Sequence, residues 1–357
     1  MTAVRAAAGR LREAVGAIFA AGGCAPGEAA AIAEHLVVAN LMGHDSHGVI
    51  RVAKYIDWQQ RGMVLPNRRL ETLRDDGALH MVDGGFGYGQ SLGRAAMEAA
   101  VARAGTNGVC VQALRNVGHL GRIGAWAEMA AAAGLVSVHF VNTSGFGVLV
   151  APHGGSDRRL SANPIAAGVP RADGPPLILD MSTCVIAEGK IQVARNRGVA
   201  LPEGAVIDGA GRPTRDPEAF YADPPGAILP IAAHKGSGLS ILCEVLAGAL
   251  TGGGSTHPGN ASAGRLVNNM LSILIDAAGL SGTTAFHDDV RRLTEWVKAS
   301  PPLAAGGEVL VPGEPERRTR AEREANGIPI DGATRRQLAD AAAAVGLDGA
   351  VVARAIG

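Results

Sequence analysis

Gly84-Gly-Phe-Gly-Tyr-Gly89 decides the fold by what it lacks. The cluster follows a short strand-like stretch, His80-Met-Val-Asp83, and precedes a helical run over 91–104 and a strand over 108–114. That is where a dinucleotide-binding crossover carries Gly-x-Gly-x-x-Gly, with an acidic residue about 20 positions on. Residues 84–89 contain no such frame, and no acidic residue follows a second strand at that spacing. The cluster reads as a flexible turn, and a Rossmann fold is not expected.

N-terminal to it the periodicity is helical. Leu11, Val15, Ile18 and Phe19 mark a helix over 11–21 that stops at Gly22-Gly23. Ile32, Leu36, Val37 and Leu41 mark a second over 26–42, and a third is expected over 47–61, closing at Gly62 before Pro66. Between the second and third lies Gly43-His-Asp-Ser-His-Gly-Val-Ile-Arg51. Gly43 suits a left-handed helix cap, and Ser46 is placed to cap the next helix. On that helix His47 and Arg51, four apart, would share a face. An acid/base imidazole beside a fork of donors shaped for a carboxylate is what 2-oxo acid reduction needs. Three other readings compete. His44, Asp45 and His47 as a metal site leave tetrahedral zinc short of ligands. Ser46 as a nucleophile lacks the Gly-x-Ser-x-Gly elbow. A purely structural turn stands level with the catalytic reading on spacing alone.

C-terminal to the cluster, Arg115-Asn-Val-Gly-His119-Leu-Gly-Arg122 joins a strand to a helix expected over 123–133. Loops at that position commonly carry catalytic groups, though a surface turn would look the same. A strand over 135–141 ends in Asn142-Thr-Ser-Gly-Phe-Gly147. Ser161-Ala-Asn-Pro164 is a tight turn with a candidate cis bond before Pro164. The strand Leu177-Ile-Leu-Asp180 runs into Met181-Ser-Thr183, where hydroxyls and amides could meet phosphate and Asp180 a ribose hydroxyl or a helix over 186–196. Residues 201–230 read as a long irregular excursion. His234-Lys-Gly-Ser-Gly238 opens a helix over 239–250 and offers an anion site without P-loop order. A glycine-rich loop over 252–260, a strand over 270–276, a helix over 286–299 and a strand over 308–311 follow. The charged tail is expected to be helical, with a further helix over 334–345, and to fold back on the N-terminal helices.

The 357 residues are 47% hydrophobic and 18% charged, a globular composition with a sizeable core. Aromatics are only 3% and glycines number 50, so the core is aliphatic and the turns many. Net charge is +0 with no basic, aromatic-interleaved stretch, which argues against nucleic acid or an anionic membrane as partner. The four cysteines are scattered and fit reduced thiols of a cytoplasmic protein. Residues 14–24 faintly imitate a lipoprotein signal, but Glu13 abuts the short apolar run and export is not expected. No stretch approaches the length of a membrane span.

Six pieces occur together and in order: Asp45-Ser-His-Gly48 with Arg51, Asn116-Val-Gly-His119, Asn163-Pro164, Leu179-Asp-Met-Ser182, Lys235-Gly-x-Gly238 and Pro312-Gly-Glu314. In these the chain resembles the type-2 malate/L-lactate dehydrogenase family, which includes ureidoglycolate dehydrogenase, diketogulonate reductase, sulfolactate dehydrogenase and piperidine-2-carboxylate reductase. The resemblance implies an α/β (α+β), non-Rossmann fold with a mixed, largely antiparallel sheet for NAD or NADP. It implies a helical domain from residues 1–73 joined by 316–357, an NAD(P)-binding domain over 74–315, and a homodimer. Carried over, His47 and His119 are the two acid/base candidates, Ser46 joins them in the catalytic set, and Arg51 clamps the substrate carboxylate. Ser144, Asp180, Met181, Ser182, Thr183, His234, Lys235, Gly313 and Glu314 match cofactor contacts, and no metal is implied. Ser161-Ala162 and Ser237 depart from the residues usual at those places. The implied activity interconverts a small 2-hydroxy acid and its 2-oxo acid. A reductase of a cyclic imino acid or a diketo sugar acid is the alternative.

Overall fold

The computed structural model describes residues 4–260 and 264–356. In chain order, β1 (Val4–Ala6), α1 (Ala8–Ala21) and α2 (Pro26–Leu41) lead into two single turns of 3-10 helix, Asp45–His47 and Val49–Arg51. Then come α3 (Val52–Gln60), β2 (Glu71–Asp76), β3 (Leu79–Asp83), α4 (Gly89–Asn107), β4 (Val109–Val117), α5 (Gly124–Ala132), β5 (Val136–Gly145), β6 (Ile165–Val169), β7 (Leu177–Met181) and α6 (Glu188–Arg197). The excursion carries β8 (Val206–Ile207), β9 (Pro213–Thr214), α7 (Pro217–Tyr221) and β10 (Ala227–Ile228). It is followed by α8 (His234–Cys243), which continues as a π-turn over Glu244–Ala249, β11 (Leu266–Ile275), α9 (Ala277–Ser281) and α10 (Thr283–Lys298). The tail forms α11 (Glu314–Asn326), β12 (Ile328–Ile330), α12 (Gly332–Ala344) and α13 (Ala350–Ile356).

Seven strands make one sheet in the order β2-β3-β4-β11-β5-β6-β7. Only β3 and β4 run parallel; every other neighbouring pair is antiparallel. The mixed, largely antiparallel sheet expected above is therefore what forms. The parallel pair is joined by α4, so residues 84–89 do sit in a strand–helix–strand crossover. They serve another purpose there. Gly84 and Phe86 donate their amides to the carbonyls of Arg115 and Asn116, and Gly118 donates to Gly87. A Cβ on Gly89 would stand 2.5 Å from the carbonyl oxygens of Gly118 and His119, so only glycine lets the two backbones touch. The cluster is a bed for the His119 loop.

One apolar core joins the two ends of the chain. Leu11, Val15, Ile18 and Phe19 of α1 and Ile32, Leu36 and Val37 of α2 pack with Ile328, Ile330, Leu338, Val352 and Ile356. β1 and β12 close this unit as an antiparallel pair, Val4 opposite Ile330 and Ala6 opposite Ile328. The tail thus folds back as expected. A second core, under the large sheet, gathers Met97, Leu114, Trp126, Met270 and Leu274.

Several local expectations change. The third helix begins at Val52, because the 3-10 turns occupy 45–51. α8 starts at His234, not 239, so the His-Lys-Gly sequence lies inside its first turn. β11 begins at Leu266, four residues early, which brings Asn268 and Asn269 into the sheet. β2 leaves no signal in the sequence, because Glu71–Asp76 is exposed throughout and carries no apolar alternation. No strand forms over 308–311, which lacks a ladder partner. The bond before Pro164 is trans, and the cis bond is at Asp223–Pro224. The excursion over 201–230 holds a three-stranded sheet, β10-β8-β9, and packs Leu201, Val206, Phe220 and Ile228 against Val150, Leu160 and Ile191 of α6 in a small core.

Ile328 is fully buried between the chain ends. Ile328→Ala should lower unfolding free energy by about 2–5 kcal/mol, read from the urea midpoint. A smaller loss would show that the β1–β12 closure does not hold the two ends together.

Candidate active site

A cavity of about 870 Å³ opens between the helical unit and the large sheet. Its wall takes Ser46 and His47 from the first 3-10 turn, His119 and Arg122 from the loop after β4, and Asp180, Met181 and Ser182 from the end of β7. The segment after α2 reaches it through a Schellman turn. Gly43 has φ +84°, its N–H bonds the Asn40 carbonyl, and the His44 N–H bonds that of Ala39. Asn40 then locks the turn. Its Nδ2 donates to Asp45 and its Oδ1 accepts the Val49 amide at 2.8 Å. Ser46 does not cap a helix; its Oγ lies 3.0 Å from Nδ1 of His47.

The two histidines singled out from distant motifs meet. Their rings stack with centroids 5.4 Å apart and an interplanar angle of 17°. Nδ1 of His119 is 2.5 Å from the hydroxyl of Tyr55, a fully buried residue of α3. Asn268 of β11 holds the loop from beneath by accepting the Leu120 amide at 2.8 Å. Arg51 lies off the shared helix face expected and does not line the cavity. It sits in the second 3-10 turn, its Nε donates to the Ser46 carbonyl at 2.6 Å, and no carboxylate of the described residues pairs with it. α6 comes close here: a Cβ on Gly189 would lie 2.9 Å from Ser46 Cβ and 3.9 Å from an Arg51 Nη. Arg122, in contrast, is spoken for by a bidentate pair with Glu128 at 2.5 and 3.0 Å.

The electrostatics follow from burial. Desolvation, helped by Arg51 and His44, pushes His47 down to about 3. Burial, then Arg51 and His47, holds His119 well below the ordinary imidazole range. Both rings are neutral at pH 7. Burial raises Asp180, whose Oδ2 accepts the Gly124 amide at 2.8 Å.

The other sequence candidates divide. Asp180, Met181 and Ser182 line the cavity together. Thr183 does not: it is buried, and both its amide and Oγ1 are directed at the Ala162 carbonyl. Ser144 is buried in β5 opposite Val267 and stands outside the wall. His234 and Lys235 are exposed at the start of α8, with His234 against the ring of His153. Gly313 lines a smaller neighbouring cavity of about 410 Å³ that shares Arg122 and Asp180. Glu314 is tied to Lys298 at 2.5 Å and to the Val311 amide. The metal alternative loses its ligands to other partners. His44 faces Glu316 at 3.7 Å and Asp45 pairs with Arg323 at 2.6 Å, while His47 faces Ser46 and His119. Among the described residues no three His, Cys, Asp or Glu side chains converge.

Tyr55, Gln90 and Asn268 escape a sequence reading. Tyr55 falls on an apolar helix face and passes for core. Only the polar pair Asn268-Asn269 inside an aliphatic run gives a signal.

Residues 7–339 match the malate/L-lactate dehydrogenase family. The chain is 40% identical to hydroxycarboxylate dehydrogenase B of Escherichia coli over 333 residues, 93% of this chain and 91% of that one. It is 34% identical over 337 residues, 92% and 94% of the two chains, to a Delta(1)-pyrroline-2-carboxylate/Delta(1)-piperideine-2-carboxylate reductase of Pseudomonas putida. The sulfolactate dehydrogenase structure from Methanocaldococcus jannaschii superposes with a TM-score of 0.86 at 31% identity, covering 99% and 100%. The chain belongs to the malate/L-lactate dehydrogenase family. It is therefore an oxidoreductase of the class that interconverts 2-hydroxy and 2-oxo acids, for which a nicotinamide cofactor is expected.

His35 and His139 are buried neutral as well, each pushed down to about 3. The unfolded chain's imidazoles, near 6.5, take up protons that the folded rings refuse. Unfolding free energy should thus be fully retained above pH 6.5 and fall as pH drops from there towards 3. Urea midpoints at pH 7.5 and 5 measure it; equal midpoints would mean the rings are charged or exposed.

Proposed function

We propose that this chain interconverts a small 2-hydroxy acid and its 2-oxo acid with NAD or NADP, using His47 and His119 at the substrate oxygen and Arg51 on its carboxylate. The observation that carries this reading is the stacked pair of neutral imidazoles, 5.4 Å apart, on the cavity wall; Arg51 stands behind that wall, bonded to the Ser46 carbonyl and paired with no carboxylate among the described residues. A 2-hydroxy acid presents hydroxyl and carboxylate on adjacent carbons, and these two kinds of group answer it.

The residues fit a nicotinamide dinucleotide. Asp180 uses one carboxylate oxygen on Gly124, leaving the other for a ribose hydroxyl. The first turn of α6 has no side-chain cap and brings Gly189 and Lys190 to the wall, a setting for phosphate. Met181 and Ser182 line the same wall. The bound cofactor would exchange hydride with the substrate's C2, and the chain supplies position and proton. A neutral imidazole takes the hydroxyl proton as the hydroxy acid is oxidised and returns it in reduction. Burial keeps the ring ready for the first direction; reduction requires prior proton uptake and so gains from lower pH. Ser46, on Nδ1 of His47, aims the opposite ring nitrogen.

The cyclic imino acid alternative draws on the name of the Pseudomonas putida relative. A panel of pyruvate, oxaloacetate, a diketo sugar acid and a cyclic imino acid with both cofactors separates the readings. Arg51→Ala should raise KM for the carboxylate substrate by on the order of a hundredfold, because two charge-assisted hydrogen bonds are lost, with cofactor affinity unchanged. An unaltered KM would remove Arg51 from the carboxylate.

We also propose a homodimer in the cytoplasm. The four cysteines are free and buried. Among the described residues no helix is long and apolar enough to cross a membrane. Ile241, Leu242, Val245 and Leu250 expose 49%, 51%, 49% and 63% of their surface on one continuous helix, a patch that a second copy would cover. Sedimentation should give twice the chain mass, and Leu242→Asp with Val245→Asp a monomer. A monomeric native chain would refute the dimer.

A further inference from the structure

We propose that Tyr55 is a positioning residue. Its phenol fixes His119 as the Nε2–H tautomer, so that this ring gives a hydrogen bond to the substrate oxygen while His47 carries the proton. The tautomer follows from counting donors. The side-chain amide of Gln90 has its orientation set by the backbone carbonyl of His119, which only accepts: Gln90 Nε2 donates to it at 2.8 Å. The same amino group lies 3.1 Å from the Tyr55 hydroxyl. Tyr55 Oη therefore accepts from Gln90, and its own hydrogen is directed to Nδ1 of His119, 2.5 Å away. The Oε1 of Gln90 is buried and meets no donor among the described residues, Tyr55 included. Nδ1 of His119 accepts and carries no hydrogen, so the neutral ring holds its hydrogen on Nε2. Burial keeps the phenol protonated by raising it above its ordinary range. With Nδ1 committed to Tyr55, Nε2–H is the nitrogen left for the cavity that His119 lines.

A second proton on His119 would place a hydrogen on Nδ1 and turn the Tyr55 hydroxyl away from its acceptor. His47 is under no such restraint. Its Nδ1 partner is the Ser46 hydroxyl at 3.0 Å, which rotates to donate or accept. His47 changes protonation state and keeps that partner. The tautomer stands on this geometry alone; its catalytic consequence rests on the cavity being the hydroxy-acid site.

Two measurements judge the parts separately. The full chain labelled with 15N-histidine, with the His119 signals located by their loss in His119→Gln, should show Nδ1 unprotonated and the hydrogen on Nε2 at pH 7.5. Tyr55→Phe should convert this to a mixture. A hydrogen on Nδ1 in the native chain, or no change in Tyr55→Phe, overturns the positioning role. In kinetics, Tyr55→Phe should lower kcat about tenfold or more with nicotinamide-cofactor KM unchanged. His119→Gln keeps an N–H donor without a titrating nitrogen and should retain at least about ten times the kcat of His119→Ala, whereas His47→Gln should be as slow as His47→Ala. His119→Gln no faster than His119→Ala overturns the donor role. A native chain inert toward every 2-hydroxy acid overturns the substrate reading and the donor role together, while the histidine spectrum still decides the tautomer.

Discussion

The loop from Asn116 to His119 lies directly on the glycine turn of residues 84–89, and the site depends on that backbone-to-backbone contact. A methyl group at Gly89 would fall 2.5 Å from two carbonyl oxygens, and one at Gly84 2.2 Å from Val117. Side chains there would lift the loop away from the sheet. The contact is also polar. Amide–carbonyl pairs run between the two segments, so neither buries an unmet backbone group. A glycine cluster in a crossover would ordinarily approach a pyrophosphate. Here it approaches its own chain.

The underside of the loop is finished by side chains. Asn268 and Asn269 accept the amides of Leu120 and Asn116 at 2.8 and 2.9 Å. Their own amino groups donate to Thr143 and Asn142, and Asn142 in turn donates to Glu244. Asn163 reaches the same carboxylate at 2.8 Å, as does the Thr256 amide at 2.9 Å. Buried polar groups cost stability when one partner is missing and rigidify when all are met. This network ties β5, β11, the Asn163 turn and the π-turn after α8 into one frame, and the His119 loop inherits its rigidity.

Charge is arranged around that frame by exclusion of water. His47 and His119 lie in contact, and two positive rings there would repel each other at low dielectric. Arg51 adds a fixed positive charge beside them. Protonation of both rings is thereby suppressed.

The sequence by itself determined a good deal. Helical periodicity gave α1 and α2 with their buried faces, the missing fingerprint excluded the Rossmann fold, and six spaced motifs pointed to the family. The motifs carry His47 and His119, 72 positions apart in the chain, without showing that the two rings meet. Local pattern also misled where partners lie far off in the chain. A one-turn spacing suggested that His47 and Arg51 share a helix face, whereas Asn40 pins that segment into 3-10 turns. Motif order also does not show that Arg51, Ser144, Thr183, His234, Lys235, Gly313 and Glu314 lie off the cavity wall that His47, His119 and Asp180 share. Only the tertiary structure brought Tyr55 to His119, 64 residues away, and Asn268 to Leu120, 148 residues away. Periodicity records which face of an element is buried; which polar atom meets which across the core depends on how the elements pack, and that information is spread over the whole chain.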